Sequence, residues 1–528
     1  MCSGLKLNAE KTEALWLGTC HDRDQPLLVG IDKVNKPIKI LGVHFTYDLK
    51  KKQELNYDET LRSFSETLAR WKWRNLTLYG KIQVVKTFVI PKFMFRASLM
   101  CSTKKVMKEL NSIIYRFIWK GRDKIKRLAL ISDYKNGGLR MPHIKTLIDT
   151  QRIICLKKYV EDYDSPWKHF LSFFLKDYGG KFFLYCNFNS SDLSHNLPSF
   201  YRECLIVWSK LTAKPAESRE EVLKQILWNN QFVRINNKPV FNRRLFSKGI
   251  VFISDILTNN GKLKPWPSFA ATGLTLVDFF SLLGIFDSLP SPWKNLISSN
   301  GIPIVFHGPP VMQHTLFLNG KSVLLDSINS KKLYWELVEM TQVYPSARHK
   351  YTTLFHNHSF DWETIYLIPH VVTIDTNTRI FQYKILNRIL YTNKSLYKMK
   401  IVSSPLCTFC HTSEESLEHL FCYYEHSITF WKSVVLWLKS INIDIDFLSD
   451  YDIIFGLAQK NLNWSLLNHI IIIGKQVIYS NRLKNFLPVL PQVFSKIKYV
   501  ESIERSIALK NNKLKIHDEK WKPIITFL

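Results

Sequence analysis

The sequence predicts a mostly helical α+β protein, and three observations support this fold class. Apolar residues recur three or four positions apart along most of the chain, which is the spacing of one face of an α-helix. Strand-like alternation is concentrated near the N-terminus, at residues 14–17, 38–40 and 43–45. Hydrophobic residues make up 46% and aromatic residues 13% of the 528 positions, which is enough for packed cores and excludes a wholly disordered chain.

Helical spacing of apolar residues begins near residue 54, after the strand-like segments of the N-terminal region. The first predicted helix carries Phe64, Leu68 and Trp71 at spacings of 4 and 3. Pro91 is expected to end or kink the second helix, because proline has no amide proton to donate. The third helix has the clearest amphipathic pattern and ends at Gly121, with apolar residues at Leu110, Ile113, Ile114, Phe117 and Ile118.

The middle of the chain, residues 146–345, is predicted to be a mixed region. Residues 146–162 and 219–228 have helical spacing, and residues 232–240 resemble a strand. Prolines recur between positions 265 and 310 and indicate turns, with a domain junction near 290–312.

The last third of the chain is predicted to be helical around a compact segment that contains cysteines. Residues 380–400 have helical spacing, the cysteine segment covers 407–431, and a helical tail follows. The apolar run 466–473 is interrupted by Asn468 and His469. It is also shorter than the roughly 18 apolar residues of a membrane-spanning helix, and we interpret it as part of a hydrophobic core.

The charge balance favours a polyanionic partner. The chain has 73 Lys and Arg against 44 Asp and Glu, a net charge of +29 with a pI near 9.6. Such a charge indicates nucleic acid above all, with an anionic membrane surface as the competing partner. The N-terminal residues lack a charged region followed by an apolar one, so secretion is not predicted.

Basic residues are most concentrated between positions 50 and 127, where 20 Lys and Arg face 6 Asp and Glu. Basic side chains neutralise phosphates and bind nucleic acid without reading its sequence. Aromatic residues are interleaved with them, including Trp71, Trp73 and Tyr79. Aromatic rings stack on unpaired bases, at about 1–3 kcal/mol per base. The alternative is that most of these rings lie in the core, since they fall on the apolar faces.

Three of the nine cysteines form a cluster with a histidine. An odd number of cysteines in a chain this long fits a reducing compartment rather than a disulfide framework. Cys407, Cys410, His419 and Cys422 have the spacing Cys-x2-Cys-x8-His-x2-Cys. Four such ligands within 16 residues predict a closed tetrahedral Zn²⁺ site with a structural role. The alternative is incidental thiols in a hydrophobic segment.

Several of these segments together resemble the reverse transcriptases of LINE-type non-LTR retrotransposons. Residues 3–18 and 38–43 resemble the end of the palm, and residues 71–81 resemble the opening of the thumb. Residues 115–119, 124–127 and 137–142 resemble the segment that closes the thumb. The resemblance divides the chain into five parts: palm end 1–49, thumb 50–145, a linker or connector of unknown fold 146–345, a C-terminal domain 346–440 with the zinc-binding segment 407–431, and a helical tail 441–528.

The same resemblance assigns roles to individual residues. Lys11 matches an auxiliary general acid of the palm, although a surface lysine in a turn is an equal alternative. Leu41 and Gly42 match the hairpin that holds the primer end, and a thumb grips duplex through its backbone. Together with the basic face near residue 384, this implies ten nucleic-acid-binding residues: Leu41, Gly42, Lys72, Arg74, Lys81, Lys124, Lys126, Arg127, Lys384 and Arg388.

The zinc segment departs from the family pattern at its last ligand. In many relatives the final cysteine lies two residues later, at the position of Tyr424. Three interpretations remain open: Cys422 is a substitute, His426 supplies the fourth ligand, or the site is degraded.

The catalytic residues of the family are not found in this sequence. Paired aspartates lie just upstream of the palm segment in relatives, and the sequence contains no Asp-Asp pair. Without them the two-metal mechanism has no scaffold, so Mg²⁺ is expected only with the missing palm. The resemblance therefore implies a truncated reverse transcriptase without polymerase activity of its own. The alternatives are a domesticated zinc-containing nucleic-acid-binding protein, or a shortened gene model of an active enzyme that performs target-primed reverse transcription.

The implied partners are RNA, RNA–DNA hybrid or DNA, and above all the transcript of the element itself. A ribonucleoprotein of this kind is expected in the nucleus and the cytoplasm. No membrane partner is predicted.

Overall fold

Helices account for most of the chain in the computed structural model, which describes Asn8 and residues 12–16, 36–161, 163–212, 214–298, 312–458 and 463–525. Within these ranges the strands form three separate two-stranded antiparallel sheets. The predicted mostly helical α+β class is therefore confirmed.

The chain divides into two compact units, each built from several segments. The first unit contains Met1–Asn56, Lys92–Lys104 and His143–Met340, and the second contains Tyr57–Pro91, Lys105–Pro142 and Thr341–Leu528. Residues of the predicted thumb are shared between both units. The domain boundaries inferred from the sequence stay predictions.

The first unit contains the predicted β-hairpin, whose strands are Ile38–Ile40 and Val43–Phe45. Its two-residue turn consists of Leu41 and Gly42 at φ values of 48° and 81°, as a type I′ turn requires. The Asn56 side chain accepts from the His44 amide at 2.8 Å and donates to the His44 carbonyl at 2.9 Å. This pair of bonds fixes the hairpin to the following helical segment.

The 146–345 region, which the sequence left without a fold, supplies the hydrophobic core of the first unit. Trp208 and Trp228 are fully buried, and their indole N–H groups donate to the carbonyls of Leu184 and Ile250 at 3.0 Å and 2.7 Å. The α-helices of the first unit are Leu49–Gln53, Ile144–Val160, Pro166–Leu175, Ser199–Thr212, Arg219–Leu223, Arg243–Ser247, Trp266–Ala270, Leu276–Asp287, Ser291–Ser298 and Ser330–Thr341, with short 3₁₀ turns at Lys176–Tyr178, Gly180–Tyr185, Ser190–Asp192 and Ile253–Ile256.

Two predictions for this region need correction. The helix expected at 219–228 covers only Arg219–Leu223. Residues 232–240 form a minimal hairpin, Arg234–Ile235 paired with Lys238–Pro239, rather than one strand. The reason is the intervening Asn-Asn pair at 236–237, where both residues have positive φ (52° and 60°) and so form a tight turn. A second hairpin pairs Thr315–Leu318 with Lys321–Leu324.

The second unit is built around one buried helix, Trp464–Arg482. The apolar run Leu466–Ile473 is buried along its whole length, so its interpretation as core is confirmed. None of the described helices is both long and apolar enough to cross a membrane. The other α-helices of this unit are Glu59–Lys72, Leu78–Val84, Lys104–Trp119, Arg127–Leu130, Ala347–Leu354, Trp362–Val372, Thr376–Leu386, Asn393–Lys398, Glu425–Ser440, Asp450–Phe455, Leu490–Lys510 and Leu514–Ile525.

Pro91 does not end its helix. A π-helical turn at Val85–Val89 precedes it, and the helix continues as Ile90–Ala97. Within this turn the Ile90 amide donates to the carbonyl of Val85, five residues earlier. The wider turn shifts the carbonyls that the proline ring would meet in a regular α-helix, so the chain passes the proline without a break.

The Gly-Gly loop of the thumb-like segment is required by close packing. Gly137 has φ of 82°. A Cβ atom on Gly138 would lie 2.0 Å from the carbonyl oxygen of Ser132. That same carbonyl accepts from the Arg140 amide at 3.0 Å, so the loop cannot open to admit a side chain without losing this bond.

A buried histidine in the second unit predicts acid sensitivity. His370 stacks on Tyr134 at 4.1 Å and lies 3.1 Å from the Tyr79 hydroxyl. Burial, assisted by Arg379 and Arg140, lowers the pKa of His370 to about 4, whereas an unfolded histidine titrates near 6.5. Below pH 6.5 the unfolded state therefore binds a proton that the folded state does not. We expect the free energy of unfolding to fall by about 1–2 kcal/mol between pH 7.5 and pH 5 because of this residue.

The measurement is urea unfolding of wild type and His370→Gln across that pH range. Glutamine keeps an acceptor for Tyr79 and does not titrate, so the variant should lose less stability on acidification. His349→Gln, at an exposed position, is the control. Parallel pH profiles for wild type and His370→Gln would contradict the assignment.

Candidate metal centre and nucleic-acid interface

The first two predicted zinc ligands lie in a tight turn. Leu406 and Glu414 form an antiparallel bridge that closes the loop, and inside it the Cys407 amide donates to the Ser413 carbonyl at 2.8 Å. The Cys407 sulfur accepts from the Phe409 amide at 3.4 Å. Backbone N–H groups directed at sulfur favour the thiolate, which is the form that binds metal.

The third ligand, His419, comes from a π-helical turn at His419–Tyr423, and its amide donates to the Ser416 hydroxyl at 3.0 Å. Its Nε2 lies 3.4 Å from Cys410 Sγ, and the ligand atoms of Cys407, Cys410 and His419 all lie within 4.8 Å of one another. Tetrahedral zinc with ordinary Zn–S and Zn–N bonds places sulfur and nitrogen roughly 3.5 Å apart. The three residues therefore fit a zinc ion.

The two thiols differ in acidity. Burial raises the pKa of the Cys407 thiol. Burial acts in the same direction on Cys410, but hydrogen bonds from Thr412, Ser413 and His419 outweigh it and lower the pKa of Cys410 to about 6. Cys410 is thus prepared to bind a cation as the thiolate at neutral pH.

The structure does not bring Cys422 to this cluster. Its thiol is buried in the core and points to the Asp450 carbonyl at 3.9 Å. Tyr424 instead lies beside the cluster, stacked on Phe409 at 5.0 Å and 6.1 Å from the His419 ring. His426 is exposed and packs its ring edge against Tyr424 at 5.2 Å. Among the described histidines, cysteines and carboxylates, no fourth residue joins the group of three.

A buried carboxylate holds the cysteine turn in place. Glu415 is fully buried and accepts from Arg482 Nη2 at 2.6 Å, from the Asn393 amide at 2.7 Å and from the Thr408 amide and hydroxyl at 3.2 Å and 3.1 Å. The Asn393 side chain in turn accepts from Arg482 at 2.7 Å and donates to the Leu406 carbonyl at 2.8 Å. We call Asn393, Thr408, Glu415 and Arg482 the Glu415 network.

Arg388, predicted to bind nucleic acid, lies in a second ion pair instead. Its guanidinium binds both oxygens of Glu418, one of them at 3.1 Å, and lies 4.8 Å from the ring of Tyr351. Glu418 is adjacent to His419 in sequence. In this position the charge of Arg388 is paired with Glu418 and stabilises the segment that contains His419.

Three of the predicted nucleic-acid-binding lysines converge on one cavity of about 560 Å³. Lys81 comes from the helix Leu78–Val84, Lys124 from the loop after Lys104–Trp119, and Lys384 from the helix Thr376–Leu386. Lys120 and Lys496 line it as well. The described residues that line this cavity include no aspartate or glutamate. We call it the lysine cavity.

The lysines of this cavity repel one another. Burial lowers the pKa of Lys81 to about 8, with further contributions from Lys120, Lys124 and Lys384. Burial, with a contribution from Lys124, also lowers the pKa of Lys384. For Lys496 burial lowers the pKa and Asp375 opposes this. The hydrogen-bond acceptors of Lys81 and Lys124 are neutral groups: the Ile118 carbonyl accepts from Lys81 at 2.7 Å, and the Tyr391 hydroxyl accepts from Lys124.

The other predicted residues lie elsewhere. Leu41, 86% exposed, and Gly42 form the hairpin turn of the first unit. Lys11 lies outside the described residues. In the second unit Lys72 and Lys126 are exposed, Arg74 covers the ring of Trp71 at 4.6 Å, and Arg127 pairs with Asp123 at 2.7 Å.

Sequence reasoning missed Lys120 and Lys496 as members of the cavity. Lys120 is one of the 20 Lys and Arg of the basic segment 50–127, and nothing in the sequence distinguishes it from the others. Lys496 lies in the tail helix Leu490–Lys510, and no local pattern distinguishes it from the other lysines of that helix.

Comparison with known proteins gives limited similarity. No model of a protein family matches the chain. A Xenopus laevis protein, the Transposon TX1 uncharacterized 149 kDa protein, is 22% identical to the chain over 268 residues, which is 48% of this chain and 20% of that protein. The chain thus spans about a fifth of the length of this relative. The similarity supports a transposon origin.

The Glu415 network predicts a large stability difference between two ion pairs. Arg482→Met leaves the buried Glu415 charge without its cation, which should cost about 3–5 kcal/mol of unfolding free energy. Lys394→Met breaks the exposed pair with Glu414, whose side chains are 41% and 54% exposed, and should cost less than about 1 kcal/mol. Urea unfolding of both variants measures the difference. Equal losses would show that the buried pair contributes no more than a surface one.

Proposed function

We propose that this chain is the thumb and C-terminal part of a LINE-type retrotransposon reverse transcriptase, and that it binds RNA or RNA–DNA hybrid without performing polymerase chemistry itself. The transposon similarity and the family-like segments support its origin. The lysine cavity is the observation that carries the binding function, because five lysines converge there and no aspartate or glutamate of the described lining neutralises their charge. A phosphate backbone would supply that negative charge.

The metal has a structural role in this proposal. Zinc bound by Cys407, Cys410 and His419 would join the cysteine turn to the π-helical turn, and its binding energy would be folding energy for the segment. The fourth position is open to His426 or a water molecule. Phosphoryl transfer is not proposed, since the sequence has no aspartate pair to hold Mg²⁺.

The ligand set predicts the zinc content of variants. Purified protein should bind one zinc ion per chain, measured by atomic emission after extensive dialysis. Cys407→Ser, Cys410→Ser and His419→Ala should each lose most of it, because each removes one of the converging ligand atoms. Cys422→Ser should keep it, because that thiol points into the core.

Tyr424→Cys is a gain-of-ligand test of the same geometry. A thiolate beside His419 and Phe409 would complete a four-ligand site, and zinc should then be retained against a higher chelator concentration. Loss of zinc in His426→Ala would identify the native fourth ligand. Full zinc content in all three single-ligand variants would contradict the site.

Nucleic-acid binding is tested by its salt dependence. Single-stranded RNA should bind with a slope of log affinity against log salt of about −2 to −4, as expected when three to five lysines contact phosphates. Replacing Lys120, Lys124 and Lys384 with Gln should weaken binding about tenfold or more and make this slope shallower. The measurement is fluorescence anisotropy over a range of KCl concentrations.

The matched control replaces Lys262, Lys321 and Lys331, three exposed lysines of the first unit, with Gln. It removes the same charge and should change affinity far less. If both triple variants weaken binding equally, the affinity for RNA depends on the net charge of the protein and not on the lysines of the cavity. If the wild type does not bind RNA at low salt, the proposed function is wrong.

A further inference from the structure

One tryptophan of the second unit lies almost completely on the surface. Trp73 is 91% exposed, more than any other large apolar side chain of the described residues. The other tryptophans of the chain are buried or half-buried. This is the usual state of the residue, because removing its large apolar surface from water is favourable. The indole ring of Trp73 is therefore open to a ligand from solvent.

The end of a helix places this ring outside the core. The helix Glu59–Lys72 continues its buried face from Leu68 to Trp71, at a spacing of three residues, and Trp73 follows as the C-terminal cap. Position 73 comes five residues after Leu68, so it falls away from the face that the 3.6-residue period keeps buried. The Arg74 amide then donates to the Trp71 carbonyl at 3.2 Å, and the helix ends.

The three aromatic residues that the sequence interleaves with the basic segment have different surroundings. Trp71 packs its ring against Phe88, with 5.4 Å between the centroids. The hydroxyl of Tyr79 lies 3.1 Å from His370, inside the second unit. Both Trp71 and Tyr79 are at least half-buried, as expected for core positions. Of the three, only Trp73 has the exposure that stacking on a base requires.

The charges next to this ring have one sign. Arg70, Lys72 and Arg74 are exposed, and none of them forms an ion pair with the described residues. The segment 67–91 of the second unit contains five Lys and Arg and neither Asp nor Glu. The Arg74 guanidinium lies 4.6 Å from the ring of Trp71. Such stacking orients the guanidinium and leaves its N–H groups free to donate to a phosphate.

Charge complementarity and the exposed ring together favour one occupant. A nucleic-acid strand carries a phosphate in every nucleotide and a flat base beside it. Cations bind the phosphates, and an aromatic ring stacks on any unpaired base, because every base has a π-face. The two cations adjacent to Trp73 in sequence, Lys72 and Arg74, supply the first contact, and its indole supplies the second.

The exposed ring lies close to the lysine cavity along the chain. Asn75, Leu76 and Thr77 line that cavity, and Asn75 is two residues after Trp73. Consecutive Cα atoms are 3.8 Å apart, so the Cα atoms of Trp73 and Asn75 are separated by less than about 8 Å. A strand whose phosphates are bound at the lysine cavity therefore has Trp73 within reach of its next nucleotides.

We propose that Trp73 stacks on an unpaired base of a single-stranded nucleic acid. The phosphates of the same strand bind to Arg70, Lys72 and Arg74. This inference rests on the proposed nucleic-acid binding and specifies its substrate class as single-stranded. A base inside a duplex is paired and stacked between its neighbours, so its faces are closed to the indole. The protein then prefers single strands to duplexes of the same sequence through an uncharged contact.

Two uncharged substitutions of Trp73 test the inference. Trp73→Leu keeps an apolar side chain but removes the aromatic face, and it should weaken binding of a 12-nucleotide single-stranded RNA about fivefold or more. Trp73→Phe keeps a ring and should retain most of the affinity. Neither variant changes the number of cations, so the salt slope and the affinity for the corresponding duplex should stay unchanged. The measurement is fluorescence anisotropy of labelled RNA.

Phe447→Leu is the matched control. Phe447 is also an exposed aromatic residue of the second unit, at 71%, but its neighbour in sequence is Asp446 rather than a cation. This variant should bind RNA as the wild type does. If Trp73→Leu binds single strands no worse than Phe447→Leu, the inference is overturned and the proposed function stands. A wild type that binds neither single strand nor duplex contradicts the proposed function, and the inference with it.

Two further outcomes would assign Trp73 to another occupant. Equal weakening of single-strand and duplex binding in Trp73→Leu would overturn the preference for unpaired bases. Sedimentation velocity without RNA tests for a contact between two copies of the chain, and wild type and Trp73→Leu should sediment alike. A dimer that Trp73→Leu dissociates, with RNA affinity unchanged, would overturn the inference in favour of a protein interface.

Crosslinking tests the contact in the wild-type protein. Single-stranded RNA containing 4-thiouridine is irradiated in the complex, and the crosslinked peptides are identified by mass spectrometry. Crosslinks at Trp73 support the inference. Crosslinks confined to residues outside the segment 70–75 overturn it.

Discussion

The buried pair between Glu415 and Arg482 is the interaction on which the C-terminal part of the second unit depends. Glu415 has no exposed surface, and its carboxylate accepts from Arg482, from the Asn393 amide and from two donors of Thr408. Removing an ion from water costs several kcal/mol, which only good geometry and additional hydrogen bonds can offset. Here both conditions are met, and the donors come from three separate segments. The carboxylate therefore determines where the cysteine turn lies relative to the helix Trp464–Arg482.

A metal ion at Cys407, Cys410 and His419 would stabilise the same turn that this network holds. Thr408 lies between the two cysteines, so Glu415 holds the turn from within the protein while the sulfur atoms of Cys407 and Cys410 converge with His419. A second buried acid, Glu418, fixes the residue next to His419 through Arg388. The protein scaffold thus holds Cys407, Cys410 and His419 close together, and a zinc ion there would bind to a turn whose position is already determined.

Local periodicity in the sequence predicted the helices of this structure. The sequence did not predict in which direction individual side chains point, or which residues from distant segments converge. Apolar spacing identified the helices because each helix buries one face, as in Leu110, Ile114 and Phe117 of Lys104–Trp119. The spacing of cysteines and histidine indicated three residues that the structure brings together, Cys407, Cys410 and His419. It also included Cys422, because four Cys and His residues within 16 positions match a closed zinc site. In the structure Cys422 lies in the π-helical turn His419–Tyr423, and its side chain is buried in the core.

The group of Cys407, Cys410 and His419 and the lysine cavity are connected through one helix. Tyr479 and Arg482 lie one turn apart on Trp464–Arg482, with the guanidinium 5.7 Å from the ring. Tyr479 lines the cavity and donates to the carbonyl of Tyr391, another cavity residue, at 3.0 Å. Two positions further on, Asn393 binds both Arg482 and Glu415. The hydrogen bonds of Asn393 and Arg482 therefore link the position of the cysteine turn to Tyr391 and Tyr479 in the wall of the cavity.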